Sequence, residues 1–528
     1  MDADRTRSAS GWGYVGEGPS AGEVERAVGL LAARFPGADL SVEAPMAPPV
    51  LPAPRLTVPA ALASFCTLEG DARRLHAVGR SSVDVLAARR GQVTAPDAVA
   101  LPRSAAEVAA VLDWCADAGA ACIPFGGGTS VVGGVNPPSG RPVVTLQTRA
   151  MGRVLEVDRV SRAARIQAGA VGPDLEAQLR PSGLSLRFYP QSFELSTLGG
   201  WIATRAAGHY ATRLVHVDDL VESVTAVTPV GLWSSRRLPS SGAGPSPDRL
   251  LLGSEGTLGV ITEAWVRLQD RPRFRAGATL RFADLAAAGA AVRGLVQGGA
   301  QPANCRVLDP LEAALNGVGD GTGAVLVLGF ESASQPVEAE AEAALAACRA
   351  AGGTSAEGVV AGAPGGGSVG RPGEAEAWRR AFLRAPYLRD ALLARGALAE
   401  TFETVTTWDR LDELVAVVSA TTTAALREVC GDGLVTCRLT HAYPDGAAPY
   451  FTVLAPARRG GEAAQWAQVK AAAAEAILSA GGSVTHHHAV GRDHRPWYDP
   501  SLPFALALAA AKRAVDPAGL LNPGVLID

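Results

Sequence analysis

Ala121-Cys122-Ile123-Pro124-Phe125-Gly126-Gly127-Gly128-Thr129-Ser130 is a short apolar run that turns into three glycines and two hydroxyl residues. The run reads as a strand. Lacking Cβ atoms, Gly126, Gly127 and Gly128 let successive backbone amides crowd against a pyrophosphate, so the segment points to a bound nucleotide. A plain tight turn is the competing reading, since glycine serves turns for the same steric reason. Two later segments weigh against it. Gln191-Ser192-Phe193-Glu194-Leu195-Ser196-Thr197, continuing through Gly199-Gly200 to Ala203-Thr204-Arg205-Ala206, offers small and hydroxylated residues around a glycine pair. Glu255-Gly256-Thr257-Leu258-Gly259-Val260-Ile261 offers a third set. Three such segments in order are harder to assign to unrelated turns.

The chain has 528 residues, enough for two or three domains, and its 48% hydrophobic content suits a sizeable core. Net charge is −4 with Lys and Arg scattered, which gives no electrostatic footprint for nucleic acid. The 7 cysteines form no C-x-x-C pair and sit mostly in apolar contexts, as buried free thiols of a reducing compartment do. No apolar run approaches the roughly 20 residues of a membrane span. Cytoplasmic location is the expectation.

Strand and helix patterns divide the chain into an α+β arrangement of four stretches. Residues 1–92 read as a helical extension, with an amphipathic helix at 21–35, a proline-rich connector at 45–54 and further helix at 58–92. Residues 93–270 alternate strands and helices around the glycine segments, and Ser104 with Glu107 suits the capping of one helix. A second unit, 271–440, starts with a strand at 275–281, has alanine-rich helices at 285–296 and 338–351, and carries a short buried strand at 324–330. Residues 361–373 read as a glycine-rich loop of low complexity. The last stretch, 441–528, ends on a helix at 502–515.

Other motifs carry a family resemblance. They are Gly11-Trp12-Gly13-Tyr14, Phe402-Glu403-Thr404, Thr436-Cys437-Arg438-Leu439-Thr440, Tyr450-Phe451, and Gly481-Gly482-Ser483-Val484-Thr485-His486-His487-His488 followed by Gly491-Arg492. With the three glycine segments, they resemble the alkylglycerone-phosphate synthase branch of the vanillyl-alcohol oxidase and p-cresol methylhydroxylase superfamily. The resemblance implies a two-subdomain FAD-binding domain of the p-cresol methylhydroxylase type, a cap over the flavin, and a tail that returns to the flavin domain. It implies noncovalent FAD, with the three glycine segments lining it. By the same token Tyr450, Arg306 and His486 to His488 are catalytic, and Arg389 binds substrate.

Those residues have blander explanations too. An isolated phenol with a pKa of about 10 is a poor base, so Tyr450 would need a nearby histidine cation to favour the phenolate. On an extended strand His486 and His488 would face one side and His487 the other, which disfavours one shared metal ion. No metal ligand is assigned on that ground, although metal binding and a solvated histidine run stay open beside an active-site role. Arg306 and Arg389 suit phosphate or carboxylate through their planar forks, and an exposed salt bridge is the alternative for each.

The chain also departs from the family. Phe188 stands where the second segment usually has a histidine, Gln191 replaces an aspartate, and Ala489 replaces a glycine after the histidine run. Asn522-Pro523-Gly524 is closer to FAD-linked dehydrogenases. Two activities therefore compete. One exchanges the acyl group of acyl-dihydroxyacetone phosphate for a long-chain alcohol, with an apolar tunnel in the cap for the chain. The other is an FAD-linked oxidoreductase acting on a 2-hydroxy acid or alcohol. A flavin-binding protein without a reaction is a third reading. The first implies a lipid substrate and peripheral membrane contact, and relatives suggest a homodimer.

Overall fold

The computed structural model describes residues 5–527 except 45, 47–49, 211, 213, 363–372 and 499, and leaves the side chains of 373–379 undescribed. Most of the glycine-rich loop expected at 361–373, and part of the 45–54 connector, lie outside the described residues.

The quoted strand, Ala121–Phe125, pairs in parallel with Val143–Gln147, which in turn pairs in parallel with Ala98–Ala100. Parallel strands are covered on both faces, which is why their residues form continuous apolar runs. Val99, Ile123, Val144 and Leu146 are fully buried. Helix Ala105–Asp117 covers one face with Val108, Val111 and Leu112, and Ser104 caps it by accepting the Glu107 amide. Cys66–Thr67 adds an antiparallel edge strand. The expected helix at 58–92 is thus broken by a strand, with α-helices at Gly70–Leu75 and Ser82–Arg89 and a single 3-10 turn at Ala60–Leu62. A second, antiparallel sheet runs Val154–Asp158, Ala163–Gln167, Val260–Arg267, Val221–Thr228, Gly231–Ser234.

The cap is an antiparallel sheet in the order Val360–Ala361, Phe274–Phe282, Ala324–Ser332, Asn304–Leu308, Leu434–Ala442, Gly446–Pro456, Ala397–Glu403. The boundary expected at 440 cuts through one of these strands, and Gly446–Pro456 is a central cap strand rather than part of a separate tail. Its two-residue alternation explains its position. Phe451 and Val453 turn with Phe402 and Cys437 onto helices Leu411–Cys430 and Glu462–Ser479, where the Phe402 and Phe451 rings stack 5.1 Å apart. Of the alternate residues, Tyr450 faces the flavin domain, whereas Leu454 packs on the N-terminal helices.

After helix Glu462–Ser479 the chain does return to the flavin domain. Leu521 forms a parallel bridge to Cys122, and buried Lys512 donates to the carbonyls of Thr257 and Leu521 at 2.8 Å each. Helix Ala21–Arg34, begun by a Ser20–Glu23 capping box, packs on helix Gly373–Leu393 through Val28, Leu31, Phe35 and Leu392. Among the described residues no helix is long and apolar enough to cross a membrane.

Candidate active site

The three glycine segments close on one another. A Cβ on Gly127 would run into the Leu195 carbonyl, and one on Gly126 into the Thr197 hydroxyl, while Gly128 sits at φ +64°. The first loop therefore lies flat on the second segment because it has no side chains. Glu255, at φ +51°, belongs to the third segment and accepts the amides of Val490 and Gly491 at 2.9 and 2.8 Å. Burial pushes its carboxyl up to about 7. Asn522 donates to the Glu255 carbonyl at 2.7 Å, so the tail is sewn to the same place.

The resulting chamber is lined by residues 124–130, Gln191, Ser192, Ser196, Thr197, Ala203, Thr204, Ala206, Glu255, Gly256, Gly259, Val260 and Ile261. Several expected residues stand elsewhere. Phe193, Glu194 and Leu195 line an adjoining outer cleft. Arg205 terminates helix Leu198–Thr204 at φ +48° and pairs with Asp218, Thr257 bonds the Ser254 carbonyl, and Leu258 is in the core. Phe188 does not replace a histidine in the chamber wall. It is 1% exposed and packs on Trp201. Gln191 donates to the Phe382 carbonyl at 2.6 Å, tying the second segment to helix Gly373–Leu393.

Facing the cradle, the cap sheet presents one row. Glu403, Tyr450 and Arg438 are direct cross-strand neighbours, and the Arg438 guanidinium lies 3.8 Å from the centre of the Tyr450 ring. A register shift between Leu439 and His441 re-aims the strand, so that Thr440 and His441 both reach the chamber. Buried Arg306, also in the wall, donates to the carbonyls of Thr440 and, at 2.7 Å, His209. His487 and His488 complete the wall, their rings 6.2 and 5.6 Å from that of Tyr450. Arg389 does not line the chamber. It is locked on Asp390 at 2.7 Å.

The histidine run is a bend rather than an extended strand, and the expected alternation fails. Buried Glu403 sets the bend by accepting the backbone amides of His486, His487 and His488 and the Thr485 hydroxyl. His486 stands behind His487, with the two Nδ1 atoms 2.9 Å apart, and its Nε2 lies 2.7 Å from the Tyr443 hydroxyl. Ring nitrogens of His441, His486 and His487 fall within 4.8 Å of one another, so two members of the run converge with a histidine of another strand while His488 stands outside the group. Glu403, Arg438, Thr440 and His441 were not singled out as site residues from sequence. Only strand register reveals the first two, although Arg438 and Thr440 lie two apart in a quoted motif.

Comparison with known proteins agrees with this geometry. Residues 96–234 match the FAD binding domain family, and residues 271–526 match FAD linked oxidases, C-terminal domain. The chain is 31% identical over 486 residues to an alkyldihydroxyacetonephosphate synthase of Dictyostelium discoideum, covering 86% of this chain and 77% of that protein. For the Caenorhabditis elegans protein of the same name the identity is 30%, with 87% and 81% covered. The chain belongs to the alkyldihydroxyacetonephosphate synthase family. A solved alkyldihydroxyacetonephosphate synthase superposes with a TM-score of 0.79 at 26% identity over 98% of both chains. p-Cresol methylhydroxylase with substrate bound shares the fold, with a TM-score of 0.65 at 14% identity over 96% of this chain and 97% of that one.

As a member of this family the chain is an enzyme with FAD as cofactor, and the side-chain-free cradle at Gly126 to Gly128 fits its pyrophosphate. The electrostatics around the flavin site differ from the sequence expectation in one respect. Burial holds Tyr450 above its ordinary value of 10.0, and the cation that opposes this is Arg438 rather than a histidine. Burial lowers His486 to about 3 and holds His487 well below the ordinary 6.5, so both imidazoles are neutral at pH 7. Burial opposes ionisation of Glu403 as well, but the Thr485 hydroxyl and the histidine amides that donate to it favour the carboxylate and hold it below 4.5. Neutral His487 and His488 can accept a proton, and charged Arg306 can hold an anion, whereas Arg438 is ion-paired with Glu312.

Two outcomes follow. Gly127→Ala is expected to lose its flavin on gel filtration while keeping its far-ultraviolet circular dichroism, because the new methyl collides with backbone. Histidines kept neutral in the fold but protonated when unfolded bind fewer protons natively, so their contribution to stability should be full above pH 6.5 and fall as pH drops toward 3, against the opposite slope that the raised Glu255 carboxyl gives between 4.5 and about 7. Thermal melts across that range check the slope, and His487→Asn should flatten it.

Proposed function

We propose that this enzyme exchanges the acyl group of acyl-dihydroxyacetone phosphate for a long-chain fatty alcohol. The observation that carries this reading is the Tyr450, His487, His488, Arg306 and Arg438 wall set against a three-segment FAD cradle. The C1–oxygen ester bond breaks and the carboxylate leaves as a fatty acid anion. The alcohol oxygen forms the new C1–O ether bond, and its proton goes to solvent, so no net oxidation occurs. Bound FAD would supply the covalent hold on the ketone fragment between the two halves.

The protein's own part is proton transfer and charge. Neutral His487 or His488 accepts the C1 proton and returns a proton to C1 once the ether bond has formed, relayed through the Tyr450 hydroxyl, which at neutral pH stays protonated and acts as a donor and acceptor rather than a standing phenolate. Arg306 holds the phosphate, a role made less suitable for Arg389 by its pairing with Asp390 and for Arg438 by its buried pairing with Glu312. The departures that favour an oxidoreductase have structural explanations, since Phe188 faces the core and Asn522 fastens the tail.

Isolated protein given acyl-dihydroxyacetone phosphate and hexadecanol should form ether without lasting bleaching of the visible flavin band. Bleaching by a 2-hydroxy acid with no ether formed would overturn the proposal. Tyr450→Phe should keep FAD and lower turnover by about 10²–10⁴-fold, as loss of a positioned proton-transfer group does.

We further propose that the start of helix Leu502–Val515 carries peripheral membrane contact. Leu502, Phe504 and Leu506 are 72%, 48% and 62% exposed there, and the substrate of the proposed reaction resides in a bilayer. Joint replacement of the three by Ser should abolish co-sedimentation with phosphatidylcholine vesicles and leave turnover of detergent-dispersed substrate unchanged.

A further inference from the structure

The Gly11-Trp12-Gly13 motif has no place in the chemistry above, yet the fold builds it into the site. Residues 6–15 form a small hairpin, with Arg7 bridged to Tyr14 and the Val15 amide bonded to the Thr6 carbonyl at 2.9 Å. Three contacts clamp it. Arg7 donates to the Gly127 carbonyl of the flavin cradle at 3.1 Å, Arg80 donates to the Ser8 carbonyl at 2.7 Å, and the Trp12 amide donates to Asp390 at 2.6 Å. The flanking glycines are needed for that last contact. A Cβ on Gly11 would stand 3.2 Å from the Asp390 carboxylate, and Gly13, at φ +75°, would drive one into the Tyr387 ring. The hairpin therefore lies flat on helix Gly373–Leu393 with Trp12 fixed between its two glycines.

Trp12 borders both the flavin chamber and the outer cleft, which offers about 1360 Å³ against the roughly 300–1,000 Å³ of ordinary small-molecule sites. Four of the seven residues on the shared border are aromatic, Trp12, Tyr189, His209 and Phe382, beside the 190–192 stretch of the second segment. The cleft lies between cap and flavin domain and is not the apolar tunnel expected inside the cap. Two of its arginines are paired with carboxylates, Arg187 to Glu331 at 2.7 Å and Arg271 to Glu176 at 2.9 Å. A chain running from a head group in the chamber into the cleft crosses this border.

We propose that Trp12 is a specificity-determining residue whose indole forms the wall that a long methylene chain crosses between the reaction chamber and the outer cleft. This rests on the proposed acyl-for-alkyl exchange. The test uses full-length holoenzyme, Trp12→Ala, Trp12→Phe and Gly13→Ala, with ether formation measured for alcohols from decanol to octadecanol. Hexadecanol binding is followed separately by perturbation of the flavin spectrum. Trp12→Ala is expected to change the hexadecanol-to-decanol ratio of kcat/KM by about tenfold or more, in line with the discrimination available from apolar contacts. Trp12→Phe should restore most of it, and Gly13→Ala should resemble Trp12→Ala by lifting the hairpin. An unchanged ratio and unchanged hexadecanol titration in Trp12→Ala, with FAD bound, would overturn the proposal. Should the wild-type enzyme make no ether while Trp12→Ala still weakens the hexadecanol titration, the proposed reaction fails and the wall role stands.

Discussion

The buried carboxylate of Glu403 is the contact on which the catalytic half of the molecule depends. It occupies the end of strand Ala397–Glu403, directly opposite Tyr450, and gathers the amides of three successive histidines. A carboxylate taken out of water is costly unless several donors meet it. Here the donors come from a loop more than eighty residues later, so satisfying one charge also fixes where the imidazoles stand relative to the phenol. The bend this imposes turns His487 and His488 toward Tyr450 and leaves His486 behind them in a chain of ring contacts.

The flavin half depends on the absence of side chains. Gly126 and Gly127 let the first loop press against the second segment, and the space that a Cβ would fill becomes backbone-lined. The tail then closes the third segment from outside, through Glu255, Asn522 and the buried Lys512. Both halves are thus held by chain that returns from the far end of the sequence. The N-terminal hairpin adds a third tie, from Gly127 of the cradle to Asp390 beside Arg389.

Much of this was legible in the residues. The apolar run ending in glycines, the buried strand at 324–330 and the alanine-rich helices appear where their patterns place them, because each depends on local periodicity. The cap boundary was not legible at 440, since the strand Leu434–Ala442 pairs on one side with Asn304–Leu308, more than a hundred residues earlier, and on the other with Gly446–Pro456, which follows it directly and keeps the sheet going past 440. Phe188 illustrates the same limit: a position aligned with a flavin-side histidine faces the core instead, and only packing reveals which way it points.

By itself the sequence determined the nucleotide cradle and the stock of groups available for chemistry, because backbone access and functional-group type are properties of the residues. Tertiary structure decided which of those groups meet, and with what charge. Burial makes the histidines neutral, register sets Arg438 over Tyr450, and a bend rather than a strand orders the histidine run. Desolvation and cross-strand register depend on distant segments packing together, and no local pattern encodes either.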